Sequence, residues 1–69
     1  MSSGIKDMKP GDYVKDSGGN LREIASVHGV DPNGRLAKPS EGGFYVKTKD
    51  GSTIGMYDAR SYHKRNEIR

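Results

Sequence analysis

Phe44-Tyr45-Val46-Lys47-Thr48-Lys49-Asp50-Gly51-Ser52-Thr53-Ile54-Gly55-Met56-Tyr57 places an Asp-Gly pair between two alternating runs. That pattern is the strongest short-range signal for a β-hairpin. The alternation also selects the register. A two-residue Asp50-Gly51 loop would set Val46 opposite Gly55 and Lys47 opposite Ile54, which mixes apolar and polar faces. A three-residue loop, Lys49-Asp50-Gly51, with Gly51 left-handed in a bulge, sets Val46 opposite Ile54 and Phe44 opposite Met56. The second register is expected, because a slip of one residue turns a buried face to water. The opposite face then carries Tyr45, Lys47, Thr53, Gly55 and Tyr57.

The rest of the chain sets the scale. Its 69 residues make one small domain, with 30% hydrophobic residues and 7% aromatics, so the core is thin. There is no cysteine, hence no disulfide framework and no thiolate metal site. Ten glycines disfavour a helical bundle and suit short strands joined by tight turns. No apolar run approaches transmembrane length, and Met1-Ser2-Ser3-Gly4 lacks a signal-peptide core, so a cytoplasmic protein is expected.

The net charge of +3 is unevenly placed. Residues 1–59 balance eight basic side chains against eight acidic ones, and the excess comes from Arg60, Lys64, Arg65 and Arg69, faced only by Glu67. A basic end on a neutral body suits contact with phosphate or an acidic partner, and equally a solvated tail.

Taken in order, residues 1–7 read as a flexible lead-in, with Ile5 and Met8 able to fold back onto a sheet edge. Pro10-Gly11 is a turn, Tyr13-Val14-Lys15 a short strand, and Asp16-Ser17-Gly18-Gly19-Asn20 a second turn. The stretch Leu21 to Val30 carries two patterns. Leu21, Ile24, Ala25 and His28 fall at helical spacing, with Asn20 and Gly29 as caps. Read as a strand, Ile24 and Val27 fall on opposite faces unless a bulge intervenes. The bulged strand is adopted here, with the helix as the competing reading. Residues 29–43 form a long loop containing the turn Asp31-Pro32-Asn33-Gly34, expected either to carry binding, as a mobile flank of the contact surface, or to be a mobile connector with Leu36 tucked over the core. After the hairpin, Asp58 caps one helical turn over 59–62, His63-Lys64-Arg65 is a last strand, and residues 66–69 are a fraying tail.

This order predicts an all-β domain over 8–65. The architecture is a five-stranded, partly open barrel with one short helical turn before the last strand. Lys9-Pro10-Gly11-Asp12-Tyr13-Val14, the Ser17-Gly18-Gly19 turn and the Asp50-Gly51 hairpin resemble small SH3-like barrels of the Tudor-like or KOW-like kind. They are similar in particular to the YodC-like bacterial proteins. The resemblance covers residues 8–65, apart from the long 29–43 segment. It implies binding to nucleic acid or to protein segments, and no set activity.

Tyr45, Lys47 and Tyr57 are the candidate contact residues, with Arg60, Lys64 and Arg65 as an electrostatic margin. Aromatic rings beside a basic group can stack bases and hold phosphate, or grip an extended peptide. Tyr45 opposite Gly55 can equally serve to cover a strand glycine, and Tyr13 and Tyr62 to close the barrel ends with their hydroxyls in water. His28 and His63 have neither cysteines nor metal-ligand spacing, so no metal or cofactor is expected. Asp58 and His63 are spaced too loosely for a catalytic dyad, and Gly18-Gly19 is not followed by a phosphate-loop lysine. The expectation is a non-catalytic binding module, a monomer or weak homo-oligomer. Its first expected partner is nucleic acid, and its second a protein, as for an interaction or inhibitor module of the kind phages and plasmids encode.

Overall fold

A computed structural model describes residues 4–68. Five antiparallel strands form one sheet that does not close: β1 (Tyr13–Lys15), β2 (Leu21–His28), β3 (Tyr45–Thr48), β4 (Thr53–Gly55) and β5 (Ser61–His63). Their order is β4-β3-β2-β1-β5, a four-strand meander whose first strand also takes the last. Among the described residues, helical structure is confined to three 3₁₀ turns, Ile5–Asp7, Pro39–Glu41 and Arg65–Glu67.

The hairpin has the expected register. Val46 lies opposite Ile54, Tyr45 opposite Gly55 and Lys47 opposite Thr53. Thr48 N–H donates to Ser52 O at 2.9 Å, and Gly51 N–H donates to Thr48 O at 3.1 Å, which leaves three loop residues. Gly51 sits at φ 91°, the left-handed position that closes the bulge. Asp50 organises this loop. Its carboxylate accepts the Thr48 hydroxyl, the Ser52 N–H at 3.1 Å and the Arg22 guanidinium.

Leu21–His28 is the bulged strand. Ile24 pairs with Thr48 but Ser26 pairs with Lys47, so Ala25 is the extra residue. The bulge rotates the strand so that Ile24, fully buried, and Val27 both turn to the core. Residues 21–23 pair with β1 and residues 24–28 with β3, so one strand serves two ladders. At the changeover, Ile24 N–H donates to Asp12 O and Glu23 O accepts Lys49 N–H. The helical reading fails here because a helix would satisfy these backbone groups internally and leave β1 and β3 without a neighbour.

The core is small: Ile5, Met8, Val14, Ile24, Val46 and Ile54, flanked by half-buried Val27, Val30, Leu36, Phe44, Ala59 and Tyr62. Ile5 is only 4% exposed and Met8 5%, so both belong to the packed body and not to a loose lead-in. Of the expected lead-in and tail, residues 1–3 and 69 lie outside the described residues.

Three expectations need correction. The turn before the last strand closes earlier, with Asp58 N–H donating to Gly55 O at 3.1 Å, so Asp58 ends that turn and does not cap a helix over 59–62. The last strand is Ser61–His63 and not 63–65, because Val14 pairs with Tyr62 and draws it inward. The tail is not simply frayed: Arg65–Glu67 forms a 3₁₀ turn, and Ile68 is half-buried.

The 29–43 loop folds on itself and is not a loose flank. Val30 bridges Leu36, Ala37 N–H donates to Gly29 O at 2.8 Å, and the Asp31 carboxylate accepts the N–H groups of Asn33 and Arg35. Leu36 rests against the core, the second of the two expected roles. Gly29 makes this loop possible. At φ 79° its α-carbon lies so close to the chain leading into β3 that a Cβ would stand 2.4 Å from Gly43 O and 2.7 Å from Phe44 Cα.

Gly29→Ala therefore combines left-handed strain with a backbone clash. It should cost about 2–5 kcal/mol, much of the stability of a domain this small. Gly51→Ala meets nothing within 4 Å, and should cost only the conformational strain of about 1–2 kcal/mol. Urea denaturation of the two variants beside the parent checks the difference.

Candidate functional site

The outer surface of the sheet is built from alternation. Val14 and Val46 are fully buried, so their neighbours Tyr13, Lys15, Tyr45 and Lys47 point outward. The two Tyr-Val-Lys triplets meet equivalent partners. Tyr45 lies opposite His28 and Lys47 opposite Ser26, while Tyr13 lies opposite His63 and Lys15 opposite Ser61. In both cases a serine and a histidine two residues on are hydrogen-bonded, Ser26 Oγ to His28 Nε2 and Ser61 Oγ to His63 Nε2, each at 2.8 Å. Each is thus a Tyr–Lys pair against a Ser–His pair. Among the described residues no carboxylate is hydrogen-bonded to either imidazole.

Tyr45 does not lie over Gly55, the covering role that its position permits. It stacks on His28, with ring centroids 4.8 Å apart and planes 11° from parallel. Its side also lines a shallow hollow of about 380 Å³ together with Phe44, Met56, Tyr57 and Asp58. Tyr57 is 84% exposed at the rim. Tyr45 and Tyr57 are therefore brought together, and Lys47 stands exposed on the same strand face as Tyr45.

The C-terminal basic residues do not join them in one patch. Arg60 and Lys64 flank β5 at opposite ends. The Arg60 guanidinium lies over Gly19 in the β1–β2 turn, and that of Arg65 lies against Gly11. Lys64 is committed internally, its ammonium 3.5 Å from Asp12 Oδ2 and hydrogen-bonded to Asp7 O. Among the described residues no three histidine, aspartate or glutamate side chains are grouped so as to hold a metal ion. No helix among them is long and apolar enough to cross a membrane.

Tyr62 differs from expectation. Its hydroxyl is enclosed and has no hydrogen-bond partner among the described residues, and desolvation raises its pKa. The cause is its place opposite Val14, which points the ring inward.

The chain matches no family model, no curated protein and no solved structure. Its reading rests on its own geometry. Sequence reasoning missed His28, Phe44 and Asp58 as neighbours of Tyr45 and Tyr57. The signal for the first was present: Tyr-Val-Lys occurs at 13–15 and 45–47, and Ser-x-His at 26–28 and 61–63.

Three carboxylates, Asp16, Asp50 and Asp12, tie the turns of this frame together. Asp16 accepts the Asn20 N–H and the Arg22 guanidinium, each at 2.8 Å, while Arg22 also reaches Asp50. The Thr48 hydroxyl first, then the Ser52 N–H and Arg22, lower the Asp50 pKa to about 2. Asp12 is 8% exposed. Burial raises its pKa, but the N–H groups of Lys9 and Arg65 and the Lys64 ammonium outweigh that, so it too stays below the usual carboxylate value.

Asp50 and Asp12 titrate lower in the folded chain than in the unfolded one. Their stabilisation is complete above the unfolded pKa of about 3.9 and is lost as pH falls through the folded values. Asp50→Asn should flatten the decline in stability between about pH 4 and pH 2. Asp12→Asn should do the same, and both substitutions should lower stability at neutral pH, since an amide cannot match the carboxylate toward Arg22 or Lys64. Urea midpoints at about pH 7, 4 and 2.5 check both.

Proposed function

We propose that this protein is a non-catalytic binding module that takes a nucleic acid strand along the outer surface of its sheet. The observation that carries the reading is the order of side chains beside β2. Opposite Leu21, Glu23, Ser26 and His28 stand Lys15, Tyr13, Lys47 and Tyr45 in turn. Cation and ring thus flank β2 as two pairs, Lys15 and Tyr13 from β1 on one side and Lys47 and Tyr45 from β3 on the other, with about 7 Å between the members of each pair. Phenol rings offer stacking platforms, and lysines beside them offer phosphate contacts. Glu23, the one acid in the series, is paired with Lys49 at 2.5 Å. Tyr57, Arg60 and Arg65 extend the contact region at its margins. Lys64 contributes only to the frame, since its ammonium is held by Asp12. We read the strand order, with β1 between β2 and β5, as that of an SH3-like barrel of the YodC-like kind.

Fluorescence anisotropy with a labelled single-stranded oligonucleotide tests the function. Binding is expected at about 50 mM salt, weakening as salt rises, with limited preference for sequence. Lys47→Gln should reduce the log–log salt slope by about 0.7, the value of one phosphate contact on a single strand. Tyr45→Ala should cost about 1–3 kcal/mol of binding. Absence of binding at low salt would overturn the reading.

A further inference from the structure

β4 ends the sheet, and its outer edge is open. The hydrogen bond from Thr48 N–H to Ser52 O makes 48 and 52 a bonded pair. Antiparallel alternation then makes 46 and 54 bonded, and leaves 47 with 53 and 45 with 55 non-bonded. The backbone groups of Thr53 and Gly55 therefore point away from β3. Gly55 O accepts Asp58 N–H. Thr53 N–H, Thr53 C=O and Gly55 N–H remain without partners among the described residues.

The 380 Å³ hollow opens beside this edge, and Thr53 and Gly55 are part of its lining. Its other walls include Phe44, Tyr45, Met56 and Tyr57, with Asp58 as the only charged group. The Asp58 carboxylate lies over Gly55, and no cation or hydrogen-bond donor meets it among the described residues. Aromatic faces attract a cation electrostatically, and a carboxylate beside them adds to that attraction. Free main-chain groups on an edge strand favour an extended segment.

We propose that the β4 edge takes an extended segment of another protein as a sixth strand, and that the hollow receives a lysine or arginine side chain of that segment. This goes beyond the nucleic-acid surface, with which it shares Tyr45 and Tyr57 but not the β4 edge or Asp58. A phosphate strand does not suit the hollow, whose one charge is negative. A second copy of the chain does not suit it either, because β4 itself, Thr53-Ile54-Gly55, has no cation to offer.

The probe is the capped pentapeptide acetyl-Thr-Val-Arg-Val-Thr-amide, titrated against the isotope-labelled full chain and followed through amide chemical shifts. Saturable shifts are expected at Thr53, Gly55 and Asp58. Replacing arginine by norleucine should weaken binding about tenfold, and replacing it by glutamate should abolish it. Asp58→Asn should weaken the arginine peptide about fivefold while leaving the norleucine peptide unchanged. N-methylating the peptide at arginine, whose side chain must share the face of Thr53 and Gly55 and whose N–H therefore points at β4, removes that pairing donor without altering the protein, and should abolish binding. The proposal is overturned if no binding occurs up to millimolar peptide or if arginine and norleucine peptides bind alike. Shifts confined away from β4, or sedimentation showing self-association that buries Thr53, would overturn it as well.

Discussion

An extra residue at Ala25 allows one strand to satisfy two neighbours. Without it, β2 could turn Ile24 or Val27 to the core, but not both. With it, the first part of the strand pairs with β1 and the rest with β3, and Ile24 becomes the fully buried centre that both ladders enclose. A core of six buried apolar side chains has little to spare. The polar ties among the turns accordingly matter more than in a larger domain. Arg22 joins the β1–β2 turn to the hairpin loop through Asp16 and Asp50, and Asp12 joins the Pro10-Gly11 turn to the chain after β5 through Arg65 N–H.

Local chemistry made part of this legible. Asp50-Gly51 with alternating flanks fixes the hairpin and its register, because side-chain period and turn geometry agree on one solution. The β2 bulge was readable only as a condition, since Ile24 and Val27 required it without showing where it falls. The errors lie where long-range contacts decide. Tyr62 turns inward because Val14, far away in sequence, stands opposite it. Lys64 looks like a surface cation until Asp12 is brought to it by the fold. The 29–43 loop is held by Asp31, whose carboxylate chelates two backbone N–H groups, and by a Gly29 contact that nothing in its own neighbourhood announces.

The candidate surface was half visible. Tyr45 and Lys47 follow from alternation, and Tyr57 does reach the same hollow as Tyr45. The basic C-terminal group was read as a unit from composition, yet β5 spaces its members apart and one of them serves as a tie. The doubled pairing of Tyr-Val-Lys against Ser-x-His needs strand partners, which composition and spacing do not supply. It ties the outer surface to the buried valines: each outward tyrosine and lysine is aimed by the Val14 or Val46 between them.

The two kinds of ladder differ in the length of chain they enclose. β3 and β4 are separated by a short turn, whereas Lys15 meets Ser61 only after most of the domain has intervened. Closing a longer loop costs entropy slowly, about 0.6 kcal/mol per doubling, and that cost falls before the contacts that repay it have formed. The hairpin is thus the natural nucleus, and docking of β5 on β1 the late step. Because that step also brings Arg65 to Asp12 and sets His63 beside Tyr13, the second Tyr–Lys cluster is complete only when the whole chain has folded, while the first needs β2 and β3 alone.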